Sequence, residues 1–115
     1  MEIHVFIKSR TTDIHAEAVY DGETMTVLPG GRISTDFIST DFASHIHGGR
    51  KAKSYRNSAE YVDADRIILK ECIFSSPSTA AQFVTGRSTN GYEAWKVEAK
   101  KNLGKYLEEQ GLRNK

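Results

Sequence analysis

Four hydroxyl residues, Ser75, Ser76, Ser78 and Thr79, surround Pro77 and lead into Ala80 and Ala81. A serine followed by proline marks the start of a helix, and helix starts present unpaired N–H groups and a partial positive charge. Such a place can hold a phosphate. Gly86-Arg87-Ser88 comes one helix length later, and its turn could bring Arg87 and Ser88 to the same anion. Asn90-Gly91 is a second turn signal that, with Trp95, would organise the presentation of Arg87. Helix capping accounts for the same residue types without any ligand. Ala80 and Ala81 read as the small residues that let a helix lie close on a sheet, and Gly86 suits a left-handed helix end.

Two basic sets accompany this segment. Arg50, Lys51, Lys53 and Arg56 fall within seven residues with no acid among them, and Lys96, Lys100, Lys101 and Lys105 form the second set. Cations that follow a nucleic-acid backbone release counterions and gain affinity from it. Tyr55 and Tyr106 lie beside the two sets, and Tyr92 and Trp95 are large enough to stack on bases or to anchor a core. Either basic set would serve equally as a solvated face.

Enzymatic chemistry has less to stand on. His45 and His47 form one pair with metal-ligand spacing, but no second pair completes a four-ligand site. Cys72 and His45 could form a nucleophile and base, yet Cys72 sits in an apolar run where thiols are usually inert. Asp63 and Asp65 read as an acidic turn. No P-loop, G-x-G-x-x-G, G-x-S-x-G or H-E-x-x-H is present. No catalytic residue, metal or cofactor is therefore expected.

The elements that position these residues follow from length and pattern. The chain has 115 residues, 38% apolar, which predicts one domain able to build its own core. Lys+Arg number 16 and Asp+Glu 15, so a uniformly basic binder is excluded. The charge is nevertheless segregated: residues 1–42 hold three basic and seven acidic groups, and residues 43–115 hold thirteen and eight. No apolar run reaches the length of a membrane span, and residues 1–8 do not read as a signal peptide. One cysteine, with no internal partner, fits a reducing, cytoplasmic setting.

Residues 2–8 alternate Ile3, Val5 and Ile7 with His4, Phe6 and Lys8, the period of a strand. Residues 14–20 place Ile14, Ala16, Ala18 and Tyr20 on one face. Asp21-Gly22 predicts a two-residue turn into a partner strand over residues 23–28, which Pro29-Gly30-Gly31 ends. Residues 32–53 read as an irregular loop, because ISTDF occurs twice in succession and a five-residue period suits neither helix nor strand. A short helix turning Phe37, Ile38 and Phe42 inward is the alternative. Ser54 predicts the cap of a helix over residues 54–62, and residues 66–74 predict a strand buried on both faces. A helix opens at Ser76-Pro77, with Ala80, Ala81 and Val84 as its apolar stripe. The last helix spans residues 102–110, Gly111 stops it, and residues 112–115 form a frayed tail.

The stretch FSSPSTAAQFVTGRSTNGYEAW, residues 74–95, resembles the signature of a bacterial domain-of-unknown-function family that trails GIY-YIG nuclease domains and other restriction-type proteins. Its hallmarks are a phenylalanine, Ser-Pro-Ser-x-Ala-Ala, Gly-Arg-Ser, Asn-Gly and tryptophan. Residues 16–33 are also similar, ending in Val27-Leu28-Pro29-Gly30-Gly31, so the likeness covers about residues 14–110. The pattern is similar, too, to the RAMA domain, which is found beside restriction enzymes and adenine methylases and is regarded as a reader of DNA. The chain departs from the pattern where Asn57, Ser58 and Ala59 replace a leucine-rich helix, and the doubled ISTDF has no counterpart. No nuclease domain is present, so the neighbours' catalysis is not carried over.

The combined reading is a small α+β domain over residues 1–111, with a mainly antiparallel sheet of four to five strands and two to three helices on one face. Its expected role is a non-catalytic accessory module that binds nucleic acid, DNA in particular. Ser76, Ser78, Arg87, Ser88 and Asn90 would form a phosphate site, and Lys51, Lys53 and Arg56 would follow the backbone. Pro77, Ala80, Ala81, Gly86, Gly91 and Trp95 would be the structural part of the motif. The alternative is a module that docks on a partner nuclease or methylase through Phe37, Ile38 and Phe42.

Overall fold

In the computed structural model, residues 2–9, 13–34, 49–87 and 89–112 are described. Residues 35–42 of the doubled ISTDF, with Phe37, Ile38 and Phe42, the pair His45 and His47, and Ser88 all lie outside them. Among the described residues six strands form one sheet: β1 Ile3–Lys8, β2 His15–Tyr20, β3 Met25–Val27, β4 Cys72–Phe74, β5 Lys96–Glu98 and β6 Lys101–Asn102. Their order is β4-β3-β2-β1-β5-β6, with every pairing antiparallel. Among the described residues four helices accompany it: α1 Gly49–Arg56, α2 Pro77–Thr85, α3 Gly91–Ala94 and α4 Leu103–Glu109. The α+β class stands. The extra elements are a two-residue strand and a four-residue helix, too short to show a period in sequence.

Alternation sets the register of the central hairpin. Ile3 faces Tyr20, Val5 faces Ala18 and Ile7 faces Ala16. Directly opposed residues share a face, and this face is buried, with Val5 at 3% and Ala16 and Ala18 at 1% exposure. The helices close over it: Ala52, Ala80, Ala81, Phe83, Val84, Trp95, Leu103 and Leu107 join the strand residues in one core. The opposite face stays open, with His4, Glu17 and Ile73 exposed. A Cα radius of gyration of 13.3 Å suits one compact domain of this length.

Three local expectations are corrected. The β2–β3 connection is a four-residue loop, not a two-residue turn: Asp21 donates its N–H to the Thr24 carbonyl at 3.1 Å, and its carboxylate accepts from the N–H groups of Glu23 and Thr24. An aspartate that can close the turn with its own side chain competes with the tighter type I′ geometry. Ser54 does not begin a helix; it lies inside α1, which starts at Gly49 and ends at Arg56. Residues 66–74 are not one strand buried on both faces. Only Cys72–Phe74 joins the sheet, as an edge strand, and Leu69 and Ile73 are each 45% exposed. The edge is short and partly covered, since Ile73 donates its N–H to the Tyr55 hydroxyl at 3.3 Å. Asp63 forms the expected turn, its carboxylate accepting from the N–H groups of Asp65 and Ile67 at 2.9 Å each.

Candidate nucleic-acid interface

Ser76 caps α2. Its backbone is extended, at φ −154° and ψ 154°, and its hydroxyl accepts from the Thr79 N–H at 3.2 Å. Pro77 then needs no partner for a donor it lacks. The Ser78 hydroxyl accepts from the Gly91 N–H at 3.0 Å, which ties α3 to the first turn of α2. Gly91 sits so close to Pro77 that a Cβ there would overlap the Pro77 carbonyl and the Ser78 nitrogen. Trp95, fully buried, donates from Nε1 to the Pro77 carbonyl at 3.0 Å. Asn90 caps α3 by accepting from the Tyr92 N–H at 3.0 Å. The N-terminal end of α2 is thus occupied by protein: its hydroxyls already have donors, and the α3 segment lies across it. Trp95 offers no ring to a base.

The other end of α2 is just as fully used. Gly86 takes the left-handed conformation at φ 74° and donates its N–H to the Gln82 carbonyl at 2.8 Å. Ser34 donates its N–H to the Val84 carbonyl at 2.9 Å. Arg56, 5% exposed, donates from Nη1 to the Phe83 carbonyl at 2.5 Å and from Nη2 to the Ser34 carbonyl at 2.6 Å. Helix ends leave their last carbonyls without partners, and a cation there also opposes the negative end of the helix dipole. Arg56 is therefore a cap supplied by a neighbouring helix, a correction to its expected place on a nucleic-acid backbone. Tyr55 is turned inward beside it, edge-on to Phe74 and Phe83 with ring centroids 5.3 and 6.0 Å away.

Arg87 follows Gly86 and is exposed. It stands at the opposite end of α2 from Ser76 and Ser78, separated by a nine-residue helix, roughly 13 Å at 1.5 Å per residue. A single phosphate cradle built from these three residues is not formed. The two basic sets do not converge either. Lys53 is half-buried on α1, which packs on α2 and the β4 edge, while Lys96, Lys101 and Lys105 belong to β5, β6 and α4 at the other edge, with Lys100 in the β5–β6 turn. Five strand spacings, roughly 24 Å, separate the edges. Lys51 also belongs to α1. In the second set, Lys101 pairs with Glu109 at 2.8 Å, and that hydrogen bond holds its ammonium above the usual range. Arg87, Lys96, Lys100 and Lys105 form no ion pair among the described residues.

Cys72 is buried in β4, and burial pushes its thiol up to about 12, the wrong direction for a nucleophile. Among the described residues, no group of three or more His, Cys, Asp or Glu could hold a metal ion, and no helix is long and apolar enough to cross a membrane.

The match to known families decides kinship. Residues 5–107 match the model of a domain of unknown function, DUF4357. The chain belongs to this family. The DUF4357 match starts within β1, earlier than the expected likeness over about residues 14–110, and takes in the hairpin, the signature segment and most of α4. The DUF4357 description assigns no activity, ligand or partner. No curated protein and no solved structure matches the chain.

One feature was invisible to sequence reading. A groove of about 480 Å³ opens on the uncovered side of the sheet, lined by Lys8, Asp13, Ile14, His15, Arg32 and Ile67. The alternation in β1 already puts Lys8 outward, but Arg32 reaches the groove only through an isolated bridge to His15 that no local pattern announces.

Proposed function

We propose that this domain is a non-catalytic accessory module that binds nucleic acid, that its partner is DNA, and that it serves a restriction or mobile-element type system in the bacterial cytoplasm. The observation that supports this reading is the set of surface cations with no acidic partner among the described residues, Arg87, Lys96, Lys100 and Lys105. They lie in the part of the chain where basic residues outnumber acidic ones, thirteen to eight. Trp95 is buried and offers no ring to stack on a base, and surface cations of this kind suit phosphates, which position a protein without reading sequence. Four neutralised phosphates correspond to a salt slope near −3.6, or roughly a hundredfold loss of affinity from 50 to 200 mM salt.

A salt titration of duplex DNA binding, methylated and unmethylated, tests this. A slope near that value is expected, and Arg87→Glu with Lys105→Glu should reduce affinity at least tenfold while leaving thermal unfolding unchanged. No binding at low salt, or a flat salt response, overturns it. Preference for methylated duplex would place the chain with modified-base readers of the RAMA type.

A second reading, docking on a nuclease or methylase, is favoured by Leu69 and Ile73, each 45% exposed at the β4 edge. Co-purification of such an enzyme that survives nuclease treatment and is lost on Ile73→Asp would support it over DNA binding.

A further inference from the structure

The open face of the sheet carries a line of basic side chains, and of the Arg87–Lys105 set Lys96, opposite Phe6 on β1, shares this face. Lys8 and His15 are register partners across β1 and β2. His15 pairs in turn with Arg32 through two backbone hydrogen bonds, of 3.0 and 2.8 Å, and Arg32 pairs with Ile67. Opposed residues in antiparallel pairing share a face, with Cβ atoms about 5 Å apart. Their chain neighbours Ala16, Ile33 and Ile68 are each 1% exposed and point to the core, so the line faces outward. The acid nearest the line is Asp13, whose carboxylate meets Arg32 Nη1 at 3.3 Å with its side chain 86% exposed. Glu17 follows two residues beyond His15 on the same face, opposite Phe6. The groove of about 480 Å³ runs along the line, with Ile14 and Ile67 as apolar walls. That volume is in the range of small-ligand sites, about 300–1,000 Å³.

We propose that this groove binds a phosphate-bearing ligand of nucleotide size. Arg32 offers a planar fork to two phosphate oxygens, Lys8 a mobile point charge and His15 a further ring donor. Ile14 and Ile67 line the side left for a sugar or base. Asp13 competes with the phosphate for Arg32. The phosphate can belong to a free mononucleotide or to the end of a strand. The site uses none of the cations assigned to duplex binding, so it stands or falls separately from that reading.

The test follows backbone amide NMR signals of Lys8, His15 and Arg32 in the full chain. The probes are inorganic phosphate, deoxyadenosine 5′-monophosphate, deoxyadenosine, and a single-stranded oligonucleotide with or without a 5′-phosphate. Saturable shifts of these amides with the monophosphate, and none with the nucleoside, are expected. Arg32→Gln and Lys8→Gln should each weaken monophosphate binding about tenfold, and Asp13→Asn should tighten it severalfold. Lys8 is exposed on its strand, so its variant keeps the test valid if Arg32→Gln unfolds. A tighter response to the 5′-phosphorylated strand than to the monophosphate identifies a strand end as the source, and an equal one a free nucleotide. Shifts spread over other cations, unchanged affinity in Lys8→Gln, or weaker binding in Asp13→Asn overturns the proposal. Arg32→Gln should leave salt-dependent duplex binding unaltered, which separates failure of this site from failure of the DNA-binding reading.

Discussion

Residues 76–95 and residues 96–105 adjoin in the chain and use their polar groups in opposite ways. In the first, the Ser76 and Ser78 hydroxyls, the Asn90 amide and the Trp95 indole are all committed to backbone groups of the same segment. In the second, Lys96, Lys100 and Lys105 carry charge that no described acid answers, and only Lys101 is paired. The residue types that hold a phosphate are the types that cap a helix, because both tasks present a donor or acceptor to a helix end. What separates the two uses is whether another part of the chain already fills the place. Around α2 it does, at both ends. The motif-rich segment is therefore the joint of the fold, and the plainer lysine stretch carries charge that no described acid answers.

The strongest way to break this contrast is at the joint. Gly91→Ala places a Cβ where the Pro77 carbonyl and the Ser78 nitrogen already are, and those are backbone atoms that cannot rotate away. α3 must lift from α2, taking with it the Gly91–Ser78 hydrogen bond and the seat of Trp95. A loss of about 3 kcal/mol is expected, at the upper end for overpacking, seen as a fall in Tm on the order of 10 °C. A variant as stable as the parent would mean that α3 does not rest on α2, and the segment would then be free to bind.

Arg56 tests the same idea from the opposite end of α2. Arg56→Leu keeps bulk but leaves the Phe83 and Ser34 carbonyls without the guanidinium that now reaches both. Leaving buried acceptors unsatisfied costs about 2 kcal/mol in total here, measurable by denaturant unfolding. Duplex DNA affinity at fixed salt should be unchanged. A tenfold loss of affinity with intact stability would return Arg56 to the binding surface.

These two residues also mark how far the sequence was legible. The limits of α2 could be read from Ser76, Pro77 and Gly86, and the start of α4 from Asn102, whose side chain accepts from the Lys105 N–H at 2.8 Å. The inward faces of β1 and β2 could be read from alternation. Each of these signals is local, carried by neighbours within one or two turns. Arg56 reads as a surface charge in the sequence because its partners, Phe83 and Ser34, lie 27 and 22 residues away. The line of Lys8, His15 and Arg32 escaped for the same reason, since it exists only once three segments pair. The extent of β4 is not legible locally, because Ile67, Ile68 and Leu69 have the composition of a buried strand, whereas Ile68 alone of the three turns into the core.

The smallest expected effect is the most direct discriminator. Ser76→Ala removes the acceptor of the Thr79 N–H and a hydroxyl 2.6 Å from Thr79 Oγ1. Loss of an N-cap of this type costs about 1 kcal/mol, because one of the first N–H groups of α2 returns to having no partner while Thr79 itself stays buried at 3% exposure. If the serine belongs to the cap, unfolding shifts by that amount and the salt-dependent affinity for duplex DNA stays within twofold. If it belongs to a phosphate site, the order reverses: stability barely moves, because a hydroxyl aimed at a ligand supports nothing in the free protein, and affinity falls instead. The two outcomes load the same atom with different partners, one inside the chain and one outside it. The 3.2 Å bond to Thr79 N places that partner inside.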